Sequence, residues 1–201
     1  MKRLFDILVA SAALLLFALP LLVIAMAVKL TSRGPVLYWS ERVGRRNRLF
    51  SMPKFRTMRT GTPQLASHLL RHPDAWLTPI GGVLRTTSLD ELPQLWSILK
   101  GDMSLVGPRP ALFNQHDLIA MRTAAGVHEV PVGLTGWAQI NGRDESPLEE
   151  KLARDVHYLR HRSFLFDLKI LALTAWKVVR RDGTRVPEHI SNAGEHERRA
   201  A

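Results

Sequence analysis

From Ile7 to Val28 the chain carries no charged residue, and only Ser11 and Pro20 interrupt the apolar run. At about 1.5 Å per residue this stretch makes roughly 33 Å of helix, close to the thickness of a bilayer core. The segment therefore belongs to a membrane. Lys2 and Arg3 precede it, and Lys29, Arg33, Arg42, Arg45, Arg46, Arg48, Lys54, Arg56 and Arg59 follow it, so the positive-inside rule pulls both flanks to the cytoplasm. A straight span would break that rule at one end. Pro20 removes an intrahelical hydrogen bond and can bend the helix, which predicts a segment that enters and leaves on the same side. Backbone groups freed at the bend would then need internal partners.

Two other readings compete for this segment. Lys2-Arg3, the apolar run and Ala25-Met26-Ala27 have the order of a cleaved signal peptide, but the run is long for one and Asp6 stands at its entrance. An ordinary kinked transmembrane helix is the other.

The 201 residues suit one domain, and the absence of cysteine excludes a disulfide scaffold and a cysteine-ligated metal. The formal charge of +10 asks for an anionic partner, which can be nucleic acid, a membrane surface or a phosphate-rich substrate. Composition does not choose among them.

After Gly34-Pro35 the pattern predicts a hairpin, with strands at Val36 to Trp39 and Leu49 to Phe55 around a basic turn from Gly44 to Arg48. It would hold Lys54 and Arg56 on one face, suited to phosphate or to anionic lipid headgroups. A short helix is expected over 63–70; His68 and His72 have metal-binding spacing but no third ligand, and read as surface histidines.

Ser88-Leu89-Asp90-Glu91-Leu92-Pro93-Gln94-Leu95-Trp96 opens another helix, with Leu92, Leu95, Trp96 and Leu99 at helical spacing and Lys100-Gly101 as its stop. With Leu92 as the cap and Pro93 first in the helix, Asp90 and Glu91 stand just ahead of free N–H groups, where they could hold a divalent cation bridging to phosphate. The alternative is a capping box from Ser88 to Glu91.

Prolines on both sides of Arg109, in Gly107-Pro108-Arg109-Pro110, present its guanidinium from a stiff loop, either to phosphate or to a structural carboxylate such as Asp102. Gly133 to Arg143 combines three glycines with Trp137, Gln139, Asn141 and Arg143, and reads as a ligand loop or a turn between strands. Ser146-Pro147-Leu148-Glu149 starts a helix whose buried stripe is Leu148, Leu152, Val156 and Leu159, with Asp155 and Tyr158 near its edge. Ser163 opens a last apolar helix through Val179, suited to a membrane surface or a core, and a polar tail follows Gly183.

Taken together, these blocks resemble the monotopic phosphoglycosyl transferases, bacterial sugar transferases that act on polyprenyl phosphate. The resemblance runs from Lys2-Arg3-Leu4-Phe5-Asp6 to Asp167-Leu168-Lys169. It rests on Lys54-Phe55-Arg56-Thr57-Met58, Ser88 to Gln94, Lys100 to Ser104, Val106 to Pro110 and Thr135 to Arg143, in that order.

What the resemblance implies is a mainly helical α/β fold. It would comprise a re-entrant membrane helix over 1–33, a small cytosolic catalytic domain over 34–183 with interfacial amphipathic helices, and a polar tail over 184–201. The chain would be the minimal catalytic form, at the bacterial inner membrane with its catalytic domain on the cytoplasmic face. The implied reaction moves sugar 1-phosphate from a UDP-sugar to undecaprenyl phosphate, releases UMP and initiates glycoconjugate assembly. Asp90 would be the nucleophile, with Glu91 beside it and Mg²⁺ held by the pair. Lys54, Arg56, Arg109, Gln139, Arg143 and Asp155 would belong to the substrate site. Partners would be these substrates and membrane lipids, without nucleic acid.

The chain departs from the family pattern at Leu19-Pro20, where Ser-Pro is usual, and at Pro131-Val132-Gly133, where Arg-Pro-Gly is common. The competing functions are a non-catalytic membrane protein that binds anionic lipid or nucleic acid, and a Mg²⁺-dependent phosphodiesterase.

Overall fold

The computed structural model describes residues 1–63, 73–142 and 146–180. The helix expected over 63–70 with His68 and His72, the candidate site residue Arg143 and the tail over 184–201 lie outside the described residues. The described residues are mixed α/β and 59% helical, in line with the mainly helical expectation.

The apolar run folds as two helices, α1 (Lys2–Leu16) and α2 (Ala18–Thr31), bent by 62° with respect to each other. The break falls at Phe17 rather than at Pro20. Hydrogen bonds from Phe17 N–H to Ala13 and from Leu21 N–H to Phe17 continue around it, both at 2.8 Å. Pro20 supplies no N–H to the carbonyl four residues back, at Leu16, and its ring crowds that carbonyl. The helix axis therefore turns one residue after Leu16, with the proline in the first turn of α2. Neither helix alone is long and apolar enough to cross a membrane.

The basic N-terminal pair has partners within the chain. Arg3 donates to the carbonyls of Ile98 and, at 2.8 Å, Leu99, satisfying open carbonyls near the end of a later helix. Lys2 donates to the carbonyl of Val106 at 3.1 Å and pairs with Asp167. Asp6, at the entrance of the apolar run, is 3% exposed and accepts from Ser104 Oγ at 2.8 Å and Leu105 N–H at 3.2 Å. The charges that mark the start of the apolar segment thus also fasten it to the domain.

The hairpin forms as β1 (Leu37–Val43) and β2 (Leu49–Phe55), antiparallel, with Tyr38 opposite Lys54. In its turn Arg46 and Asn47 both take φ of 56°, a left-handed conformation that costs a side-chain-bearing residue energy. A short helix α3 (Gly81–Thr86) leads to α4 (Gln94–Lys100), which is followed by β3 (Ser104–Val106) and β4 (Ala111–Leu112). Then come α5 (His116–Ala124), β5 (Gly133–Thr135), α6 (Trp137–Asn141), α7 (Leu148–His161) and α8 (Phe164–Arg180). The first sheet has the order β2-β1-β4, and β3 pairs in parallel with β5.

Three apolar clusters hold these elements. The largest gathers Ala10, Met52, Ile98, Val106, Ile140 and Ile170, so α1, β2, α4, β3, α6 and α8 share one core. Val28, Phe55 and Leu84 join α2 to β2 and α3. Val43, Ala111 and Leu118 seat α5 on the edge of the first sheet.

Two predicted stripes differ in detail. Trp96 is exposed, and α4 buries Gln94, Leu95, Ser97 and Ile98 instead. On α7 the fully buried residues are Asp155 and Tyr158, while the aliphatic stripe is only partly buried. On α7 the polar edge sinks because hydrogen-bonding partners wait for it, as at Tyr158, whose hydroxyl donates to Asp167 at 2.8 Å, whereas Gln94 Nε2 of α4 is buried without a partner among the described residues.

Candidate active site

Ser88 takes φ of 56°, and Leu89 to Glu91 then form one tight 3₁₀ turn, closed by Glu91 N–H on the Ser88 carbonyl at 3.2 Å. Pro93 caps α4, which begins at Gln94, one residue later than expected. The Ser88 hydroxyl caps neither this turn nor α4, so the capping-box reading fails. A left-handed serine on one side and a proline on the other aim the two carboxylates instead.

Their environments differ sharply. Glu91 Oε1 accepts from Lys54 Nζ and from Arg109 Nη2, each at 2.8 Å. Burial works against its charge, yet Arg109 and then Lys54 hold the carboxyl well below the usual carboxylate range. Lys54 is pushed down by burial, with Glu91 the main opposing influence. Asp90 is 8% exposed and accepts no hydrogen bond among the described residues. Burial pushes its carboxyl up, opposed first by the charge of Lys54. One carboxylate thus carries two cations on a single oxygen, and its neighbour has its oxygens free.

Arg85, on α3, completes the group and was not singled out in the sequence. Its Nε donates to Thr57 Oγ1 at 3.0 Å, and burial lowers its pKa against the opposing charge of Asp90. Nothing marks Arg85 in one dimension, because it reaches the site through the packing of α3 on the turn before α4. Three cations, Lys54, Arg85 and Arg109, therefore face two adjacent acids.

Arg56 does not join them. It is 4% exposed, and its guanidinium donates to the carbonyls of Pro35 at 2.6 Å, Arg33 at 2.6 Å and Ser32 at 2.9 Å, and to Ser32 Oγ at 2.8 Å. Arg56 N–H still bonds the Val36 carbonyl at 2.9 Å, but its guanidinium is taken up by the carbonyls that follow α2, so the single phosphate-binding face expected for Lys54 and Arg56 does not form. Arg56 ties the end of α2 to the hairpin.

Asp155 also lies apart from the acidic pair: it is 1% exposed, and its Oδ2 accepts from Arg122 Nε at 2.9 Å and Nη2 at 2.6 Å. Burial raises its pKa, with Arg122 opposing. Arg122 was another residue missed in the sequence. Gln139 turns inward, its amide donating to the Leu134 carbonyl at 3.3 Å, and Trp137 stacks on His157 with ring centroids 5.1 Å apart.

The glycines of this block serve the protein's own backbone. A Cβ on Gly133 would come within 2.1 Å of Gly107 N, and one on Gly136 within 2.1 Å of the Gly107 carbonyl oxygen. The block is thereby pressed against the loop that carries Arg109.

Among the described residues no cluster of three or more histidine or carboxylate side chains forms a self-sufficient metal site. A buried pair of acids ringed by cations is an arrangement suited to an anionic substrate. Comparison with known proteins narrows this class: residues 1–181 match the bacterial sugar transferase family, and the chain belongs to it.

It is 42% identical to an uncharacterized sugar transferase, EpsL, of Bacillus subtilis over 95% of this chain and 93% of that one. It is 45% identical to the undecaprenyl-phosphate glucose phosphotransferase of Komagataeibacter xylinus over 86% of this chain, and 40% identical to the UDP-glucose:undecaprenyl-phosphate glucose-1-phosphate transferase of Escherichia coli over 88%. The chain spans 35% and 40% of the length of these last two relatives.

Proposed function

We propose that the protein transfers a sugar 1-phosphate from a UDP-sugar to a polyprenyl phosphate such as undecaprenyl phosphate, through a covalent phosphosugar on Asp90. The observation that carries this reading is the contrast within the acidic pair, where Asp90 keeps its oxygens free beside a glutamate already neutralised by Lys54 and Arg109. A nucleophilic carboxylate needs such freedom, and a diphosphate needs such cations near it. The names of the relatives supply the acceptor and the phosphosugar, and leave the hexose of this chain open.

In the first half-reaction an Asp90 oxygen forms a bond to the sugar-bearing phosphorus of the donor. The phosphorus–oxygen bond to UMP breaks, and UMP leaves with the electron pair. In the second, an oxygen of polyprenyl phosphate attacks the same phosphorus, and Asp90 departs as a carboxylate. Arg109 and Lys54 orient Glu91 and offset the charge of the phosphates, while Arg85 lies where it can act on Asp90 itself. Mg²⁺ fits this donor set, since it takes one or two protein carboxylates together with substrate phosphate oxygens. Asp90 and Glu91 would hold it, and it would lower the repulsion between donor and nucleophile.

The acceptor is a lipid, and the N-terminal helices suit a site at its headgroup level. Leu4, Leu8, Leu15 and Leu16 of α1, Leu19, Leu22, Met26 and Leu30 of α2, and Leu165, Trp176 and Val178 of α8 are all more than half exposed. With the 62° bend and basic residues at both ends, this supports a re-entrant α1–α2 unit and an interfacial α8 on the cytoplasmic face of the inner membrane. Initiation of a glycoconjugate chain follows from attaching the first sugar to the carrier.

Purified protein with Mg²⁺, polyprenyl phosphate and a panel of UDP-sugars should release UMP with at least one donor. Without acceptor it should release UMP once per enzyme and retain the phosphosugar, and Asp90→Asn should do neither. Continuous UMP and free sugar phosphate without lipid would make the protein a phosphodiesterase; no UMP with any donor would refute the proposal. Single cysteines near residues 2 and 33 should be labelled from the same side of the membrane, and opposite labelling would mean a true span.

A further inference from the structure

The loop Gly107-Pro108-Arg109-Pro110 brings Arg109 to Glu91, and its backbone is held at each step. Gly107 N–H donates to the Thr135 carbonyl at 2.9 Å, and Gly133 N–H donates to the Pro108 carbonyl at 2.9 Å. Arg42 Nη1 reaches the Pro110 carbonyl at 3.1 Å. At Arg109 itself the carbonyl accepts from Arg122 Nη1 at 2.8 Å. The other two nitrogens of the Arg122 guanidinium bond to the buried Asp155 of α7.

We infer that Arg122, fixed by Asp155, is a positioning residue for the transfer: it sets the Arg109 backbone so that the Arg109 guanidinium meets Glu91 beside Asp90. The inference rests on the transferase reading for its kinetic consequences and on geometry alone for the brace. A guanidinium is needed because three N–H groups in one rigid plane must serve a carboxylate on one edge and a carbonyl on another, which an ammonium cannot do. Stability alone is a poor reason for the pair, since a buried ion pair commonly gains little over an apolar pair of the same volume. Its third bond goes to the main chain of a site residue, and displacement of a reacting group by about 1 Å can cost on the order of 100-fold in rate.

The path from Asp155 to Glu91 is continuous: Asp155 Oδ2, Arg122 Nη2 at 2.6 Å, Arg122 Nη1, Arg109 carbonyl at 2.8 Å, and Arg109 Nη2 to Glu91 at 2.8 Å. Asp155 thus contributes to the site through two arginines and without meeting substrate. The family resemblance implied a place for it in the substrate site, and nothing in one dimension pairs it with Arg122.

The test combines kinetics with amide exchange. Arg122→Lys should lower kcat for UMP release tenfold or more with KM for the donor changed less than threefold, and Asp155→Asn should act in the same direction. On an Arg109→Ala background, Arg122→Lys should cost less than twofold further, because a brace has no effect once its load is gone. Ile170→Val serves as a control for general loosening, with a lowered melting temperature and unchanged kcat. Amide exchange should speed up across residues 105–112 in Arg122→Lys and stay at the wild-type rate there in Ile170→Val. An undiminished loss on the Arg109→Ala background, or kcat within twofold of wild type in Arg122→Lys, would overturn the positioning role. If no donor turns over in the wild-type enzyme, the proposed function fails while the exchange arm still decides the brace: unchanged exchange over the loop overturns it.

Discussion

Glu91 gives the sharpest handle on the site, because one of its oxygens carries both cations. In Glu91→Gln, Lys54 and Arg109 keep an acceptor of the same shape and lose the charge. Hydrogen bonds to charged groups contribute about 1.5–3 kcal/mol each, and breaking a buried ion pair costs about 3–5 kcal/mol. Side-chain exposures of 15% for Lys54, 19% for Glu91 and 33% for Arg109 leave room for water and screen part of this. The remaining amide oxygen recovers more, so the expected loss is about 2–3 kcal/mol. For a chain of this size that corresponds to a fall of about 4–12 °C in Tm at pH 7.

The pH dependence has a definite sign. The folded carboxyl of Glu91 sits below its ordinary value of 4.5, so the stabilisation is fully present above that pH and is lost as pH falls through the folded value. The gap between wild type and Glu91→Gln should therefore be constant from pH 6 to 8 and narrow only in acid. A second substitution separates charge from packing. Lys54→Met should lower Tm in the wild type, where it strips Glu91 of a partner, and raise it in Glu91→Gln, where it removes one of two facing cations. Thermal melts followed by circular dichroism in lipid nanodiscs would measure all four proteins. Equal effects of Lys54→Met on both backgrounds would refute the shared-carboxylate account.

Asp90→Asn should abolish UMP release, a loss on the order of 10⁴–10⁶-fold for a nucleophile, and should raise Tm at pH 7. Burial lifts the folded pKa of Asp90 above 3.8, so ionising it costs stability as pH rises through the folded value, and the gain should vanish below pH 3.8; a lower Tm at pH 7 would contradict this. Arg56→Met should cost about 2–4 kcal/mol by orphaning carbonyls at the end of α2, while the folded fraction keeps its KM for donor; a selective rise in KM would return Arg56 to the substrate site. Gly136→Ala should destabilise by about 1–3 kcal/mol and reduce kcat, since its methyl would press on the Gly107 carbonyl; an unchanged melt and rate would show that the contact yields freely.

Local rules carried much of the fold. The second strand of the hairpin lies where its alternating pattern put it, from Leu49 to Phe55, and α8 begins beside Ser163, whose Oγ accepts from Phe166 N–H at 3.1 Å. Such signals depend on neighbours within a few residues. Arg85 and Arg122 escaped notice because their partners, Thr57 and Asp155, are 28 and 33 positions away. Arg56 misled for a related reason. Spacing of two puts a pair on one face of a strand, but it cannot show that the guanidinium is taken up by carbonyls 21 to 24 positions away. The bend at Phe17 shows the same limit at short range, since a proline acts on the carbonyl four residues back and the break appears there.

The apolar N-terminal segment and the acidic pair also form one mechanical unit. Val28 of α2 packs with Phe55 and Leu84, the direct neighbours of Lys54 and Arg85. Arg56 fastens the carbonyls of Ser32, Arg33 and Pro35, where α2 hands over to the hairpin. At the other end, Arg3 of α1 caps α4 through Ile98 and Leu99, and α4 follows directly on Asp90 and Glu91. Each flank of the apolar bend is therefore tied to an element that bears a site residue or lies just beyond one. Under the proposed function, a rigid link of this kind would fix the height of Asp90 relative to the headgroups and let a soluble donor and a lipid acceptor reach one carboxylate in turn.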